Sequence, residues 1–227
     1  MAEYELVEIA PPAAAVEAAA ASLARAGAFL LGELHGVAQT PRAILGLVSR
    51  LEVGALALEW AYDELDDVIQ PVLTTGLVDL DALWALPPDA EVFSGDGRFT
   101  DGHVALLEHL APRLERIVLL DRFGSEGAAR EAGMAQRLVD AARVGPVLAV
   151  LGVGHVLRSA VEGAEPVALL AERELARAAT GVLWPSSGTC WFHGERTLEQ
   201  HEPPRVDAVI PLGVATAAVV PQHPLAE

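Results

Sequence analysis

The chain has 227 residues, 52% of them hydrophobic, which suits one large domain with a sizeable core. The formal charge is −17, all 15 basic residues are arginine and no basic cluster occurs, which argues against nucleic acid or an anionic membrane surface as a partner. The absence of lysine excludes Schiff-base chemistry on a lysine side chain and the phosphate-cradling lysine loop, and the lone Cys190 excludes an internal disulfide.

In chain order, residues 4–9 read as a short edge strand. Pro11-Pro12 opens an alanine-rich helix over 13–26, which Gly27 ends. Phe29-Leu30-Leu31 then runs into Gly32-Glu33-Leu34-His35, an apolar strand that delivers a carboxylate and an imidazole. Thr40-Pro41 reads as an N-cap and first helical position, with Ile44, Leu47, Val48 and Leu51 at helical spacing. A second buried strand over 55–58 delivers Glu59-Trp60. Helical segments follow over 61–75 and 79–86, and Pro87-Pro88 breaks the pattern. The glycine-rich loop over 94–103, with Asp96, Arg98 and His103, is expected to form a mobile pocket rim and, with Trp60, to touch substrate.

Further on, a helix over 103–114 precedes a strand over 117–120 that ends at Asp121-Arg122. A helix over 124–143 carries Arg130 and Met134, and a strand over 147–151 runs into Gly152-Val153-Gly154-His155. Residues 166–170, 181–184, 188–194 and 205–212 read as further strands, and the apolar tail from Gly213 shows no clear pattern. Strands alternating with helices predict an α/β fold: a single domain over 1–227 with a central, mostly parallel sheet and helices on both faces. The acidic start, Met1-Ala2-Glu3-Tyr4-Glu5, lacks a positive region before an apolar stretch, and no uncharged run reaches membrane-spanning length. A soluble, cytoplasmic protein of unknown oligomeric state is expected, with a small molecule as its partner and no membrane.

Two strands thus end in the same Gly-x-x-His spacing, at His35 and at His155. If they are parallel neighbours, both imidazoles face one crevice at the carboxyl edge of the sheet. A single histidine after a strand reads as a hydrogen-bonded structural residue. The pair, with Glu33 and Glu59 also at strand ends, reads as a site, because buried carboxylates are costly unless paired or used. His193, His201 and His223 read as surface residues and Cys190 as a buried, inert thiol. No Gly-x-Ser-x-Gly elbow occurs.

The order Gly32-Glu33-Leu34-His35, Glu59, Arg130-x-x-x-Met134-Ala135 and Gly152-Val153-Gly154-His155 resembles the superfamily of erythromycin esterase-like, ChaN-like and Tiki/TraB-like proteins. The resemblance spans roughly residues 29–160 and implies an α/β fold around a largely parallel sheet. It admits water-activating esterases, metal-dependent membrane proteases and haem-iron-binding lipoproteins. Only Leu34 separates Glu33 from His35, where erythromycin esterases typically have two residues, so the spacing is closer to the ChaN-type and Tiki-type versions. Those relatives are usually exported or membrane-anchored.

The leading expectation is a hydrolase of a small ester, lactone or amide, working by direct water attack since no serine or cysteine nucleophile is evident. His35 is the general base, and Glu33 and Glu59 orient it and stabilise its cation. His155 and Arg130 stabilise the oxyanion or protonate the leaving group. The residues themselves require no cofactor. In a metal variant, Glu33, His35, Glu59 and His155 hold a divalent ion, for which Zn, Mn or Fe suit the donor set. A ChaN-type haem or iron binder, and a scaffold in which the same groups form a satisfied polar network, are the alternatives.

Overall fold

A computed structural model describes residues 6–161, 163–221 and 223. Four strands form the middle of the sheet: β1 Ala28–Glu33, β2 Ala55–Ala61, β3 Arg116–Asp121 and β4 Val147–Gly152. The sheet order is β3-β2-β4-β1-β5, all parallel, with β5 spanning Ala179–Trp191. Strand β6, Glu195–Leu198, returns antiparallel to the far end of β5, and β7, Ala208–Ala215, lies parallel on its other side. The helices are α1 Ala13–Ala26, α2 Thr40–Val48, α3 Tyr62–Ile69, α4 Val72–Thr75, α5 Leu80–Trp84, α6 Asp101–Leu110, α7 Gly127–Val144 and α8 Val167–Ala171.

The two-residue period of the strands sorts their side chains into two apolar layers. Phe29, Leu31, Leu56, Leu58, Leu148 and Val150 face one way, onto Leu23 of α1, Ile44 and Leu47 of α2, Leu65 and Ile69 of α3 and Leu106 and Leu107 of α6. Leu30, Ala55, Ala57, Ala149 and Leu151 face the other way, onto Met134, Leu138 and Val139 of α7 and Val167 and Ala171 of α8. Both faces being covered, these strands read as continuous apolar runs. The expected architecture, a mostly parallel sheet with helices on both faces, is the one observed.

Several local expectations are corrected. Residues 166–170 are not a strand: Pro166 precedes helix α8, whose buried Val167, Ala168 and Ala171 fall at helical spacing. The two strands expected over 181–184 and 188–194 are one, β5. Pro185 interrupts the apolar pattern, and the strand accommodates it through register shifts against β7 on both sides of that residue. Strand β6 carries no apolar alternation and was not predicted. Thr40 is the first residue of α2 rather than its cap, which is Gln39. Pro71 divides the helix expected over 61–75 into α3 and α4. Of the edge strand expected over 4–9, residues 4 and 5 lie outside the described residues, and 6–9 form no strand. Ile9 donates its amide to the Arg42 carbonyl and packs on α2.

Candidate active site

Adjacent parallel strands bring Asp121, Glu59, Gly152 and Glu33 to one edge of the sheet, the carboxyl edge where crevices form. Strand β2 takes one extra residue relative to β3 between Leu58 and Ala61, a bulge at the position of Glu59 and Trp60. His35 follows β1 directly, and His155 lies in a short 3-10 turn, Val153–Val156, directly after β4. Arg130 and Glu131 reach in from the first turns of α7.

Glu59 is the hub. It is 3% exposed, and its Oε1 lies 2.6 Å from Arg130 Nη2, 3.2 Å from His155 Nε2, 3.7 Å from Arg98 Nη1 and 3.9 Å from His35 Nε2. Its Oε2 accepts the backbone amide of Gly152. Burial alone would raise the Glu59 carboxyl, but the hydrogen-bonded His155 and the Arg98 guanidinium hold it well below the usual carboxylate range, more so when His35 is protonated. Asp121 accepts from Arg130 Nε at 2.8 Å and lies 3.3 Å from Arg98 Nη1, so two carboxylates and two guanidinium groups neutralise one another.

Each histidine has its own carboxylate. His35 Nδ1 lies 3.1 Å from Glu33 Oε1, and His155 Nδ1 lies 2.6 Å from Glu131 Oε1. Burial would lower both imidazoles, but the neighbouring carboxylates outweigh it. His35 is raised above its ordinary value, and His155 is pushed up to about 9. At neutral pH His155 is therefore an imidazolium.

Gly152 sits between the strands that carry Glu33 and Glu59. A Cβ there would lie 3.0 Å from His35 Nε2 and 3.2 Å from Glu59 Oε2. Gly152→Ala is expected to push His35 off its position and to lower kcat by about 10–100-fold, since sub-ångström misplacement of a reacting group is costly. Steady-state kinetics beside a thermal melt checks this; unchanged kcat would show that the side chains yield freely.

The open cleft beside these groups has a volume of about 480 Å³ and is lined by Glu33, His35, Glu59, Arg98, Arg130 and His155 on one side. The hairpin of β5 and β6 supplies the opposite wall, with Cys190, Phe192, Arg196 and Leu198. Glu33, His35, Glu59, His155 and Arg130 are thus brought together. The residues expected to touch substrate from the glycine-rich loop and Trp60 are not, except for Arg98. Asp96 is buried and holds Arg98 Nε at 2.6 Å. Trp60 is buried against Phe99, at 4.7 Å between ring centroids, and donates to the Arg98 carbonyl. His103 is buried behind Glu33, bonded to Thr100, with its imidazole held down by burial. The loop is pinned rather than free. Gly36 donates to the Gly97 carbonyl, His193 donates to the Gly95 carbonyl, and Gly36 and Gly97, both at positive φ, pack too closely for any side chain.

Asp121, Glu131, Glu91, Phe192, Arg196 and Leu198 were not anticipated as site residues. Asp121 ends an apolar strand as Glu59 does, so its signal was present. Glu91 meets Arg98 at 2.7 Å, and burial raises its carboxyl to about 7.

The four candidate metal ligands do not suit an ion. Arg130 Nη2 already occupies the position at Glu59 Oε1 that a metal would need, and Glu33 and Glu131 are turned to ring nitrogens. Among the described residues no three of His, Cys, Asp or Glu are arranged to hold a metal ion.

Fold and site define an α/β protein with two histidine–carboxylate pairs and two half-buried arginines around one carboxylate, at the carboxyl edge of a parallel sheet. No protein-family model and no curated protein matches the chain. Among solved structures it is similar to RRSP, a MARTX toxin effector domain from Vibrio vulnificus, at 18% identity over 82% of this chain and 38% of that one, with a TM-score of 0.49. A structure of bacterial protein toxins is similar at 20% identity over 75% of this chain and 36% of that one, with a TM-score of 0.47. The chain therefore spans well under half the length of either. Among the described residues no helix is long and apolar enough to cross a membrane.

Proposed function

We propose that this cleft hydrolyses a small ester, lactone or amide by histidine-assisted attack of water. The observation that carries the reading is the placement of two oppositely suited imidazoles on one carboxylate. His35 Nδ1 faces Glu33, and Nε2 is 3.9 Å from Glu59, too far for a hydrogen bond and free to take a proton from water. His155, held cationic by Glu131 and Glu59, is the acid.

In this mechanism water oxygen bonds to the carbonyl carbon as its proton passes to His35 Nε2. The carbonyl oxygen takes up the negative charge beside Arg130 and Arg98. The bond from the carbonyl carbon to the leaving oxygen or nitrogen then breaks, and the leaving atom takes its proton from His155. Return of the proton from His35 through solvent to His155 restores the site. The resemblance to the erythromycin esterase-like, ChaN-like and Tiki/TraB-like proteins supports the same reading. A cytoplasmic location and a small-molecule partner belong to this proposal.

The pH profile is expected to be bell-shaped. His35 must be neutral to act, so kcat/KM rises with pH through a titration above the ordinary imidazole value of 6.5. His155 must be charged, so the rate falls again as pH passes about 9. A profile flat from pH 6 to 10, on a roughly unit-resolved pH series, would remove both assignments. The substrate test is a panel of small esters, lactones and amides in ¹⁸O-labelled water, with the acid product read by mass spectrometry. Label should enter that product; no hydrolysis of any panel member would sink the proposal.

A further inference from the structure

The wall opposite the catalytic groups is a strand pair whose side chains alternate. Cys190 and Arg196 are direct partners across the β5–β6 ladder and therefore share one face. Two residues on along β6, Leu198 lies on that face as well, and Phe192, in the bend just past β5, joins these three in lining the cleft. Trp191 and Glu195, the neighbouring pair, take the opposite face. The face presented to the cleft thus bears three apolar side chains, one cation and no carboxylate.

Arg196 differs from the other arginines of the cleft. Arg98 and Arg130 are each shared between two or more carboxylates. Arg196 is exposed, forms no ion pair among the described residues, and uses only Nε, bonded to the Phe192 carbonyl at 3.2 Å. That bond directs the guanidinium while leaving both terminal nitrogens without a partner among the described residues. In a chain of charge −17, a cleft would ordinarily repel anions; here one wall offers a guanidinium fork in an apolar setting, the geometry that binds carboxylate or phosphate in two-point fashion.

We infer that Arg196 selects substrates carrying an anionic group, separated by an apolar spacer from the carbonyl that is attacked. The spacer lies along Phe192 and Leu198 while the carbonyl reaches His35 and Arg130. This inference rests on the hydrolytic reading for its turnover arm only; the anion site stands on the hairpin alone.

The test compares mono-(4-nitrophenyl) adipate with its methyl ester, which has the same length and a neutral end. The native protein should favour the anionic ester, and added salt should erode that preference. In R196Q the ratio of kcat/KM for the anionic to the neutral ester should fall by roughly tenfold or more, and R196K should recover part of it. An unchanged ratio, or an equal loss on both esters, overturns the assignment. If the native protein turns over neither ester, the hydrolytic reading is what fails. Calorimetry with adipic acid monoanilide then judges the anion site by itself: binding weakened about tenfold in R196Q sustains it, and no binding, or equal binding to both proteins, overturns it.

Discussion

Replacing His35 by alanine should lower kcat on a confirmed substrate by about 10²–10⁴-fold, the range for loss of a positioned general base. The fold should survive, because His35 lines the cleft and, among the described residues, its ring hydrogen-bonds only to Glu33. Circular dichroism and a melt on the same sample separate loss of chemistry from loss of structure. The residual rate should no longer rise with pH through the imidazole titration, since the group that must shed its proton is gone. Full activity of His35→Ala would refute the assignment, whatever the substrate.

Glu59→Ala should be the most destabilising single change at the site, by about 3–5 kcal/mol, because it breaks a buried pair and leaves its partners uncompensated. The carboxylate holds Arg130, His155 and the Gly152 amide together, and Arg98 lies nearby. Urea unfolding at neutral pH measures the effect, and a loss below about 1 kcal/mol would show that the hub is dispensable. Glu59→Gln keeps the shape and can still accept from Gly152, so it should unfold less readily than the alanine variant. It removes the charge that raises both imidazoles, so both limbs of the pH profile should move to lower pH. The same Glu59 oxygen lies within 4 Å of both imidazoles and of two guanidinium groups.

The two central Gly-x-x-His runs show how much of the site was legible. Each is an apolar strand ended by glycine, and that signal is local. It marks Glu33, His35 and His155, the apolar run over 55–58 marks Glu59 without a glycine, and strands covered on both faces read as unbroken apolar runs. Asp121 carried the same local signal at the end of β3 and needed only to be weighed beside Glu59.

Other features had no local signal. Strand β6 is short and carries a single apolar residue, Leu198, and among the described residues it pairs with the extension of β5. Glu131 sits on a helix turn where a carboxylate ordinarily faces water, and only the path of β4 brings His155 to it. Asp96 and His103 look like substrate ligands because polar groups gather in a glycine-rich loop, and Trp60 because it follows Glu59 at a strand end, yet Asp96 and His103 fold in against Arg98 and Glu33, and Trp60 packs on Phe99.

What the chain determines by itself is which residues end its buried strands, because burial is written in the run of apolar side chains. The tertiary structure alone decides which of those ends are neighbours, which charges neutralise one another, and that the β5–β6 hairpin lines the cleft. Those outcomes depend on strand order and on contacts between residues far apart in the chain, such as Glu59 with the Gly152 amide, 93 positions away, and no local pattern encodes them.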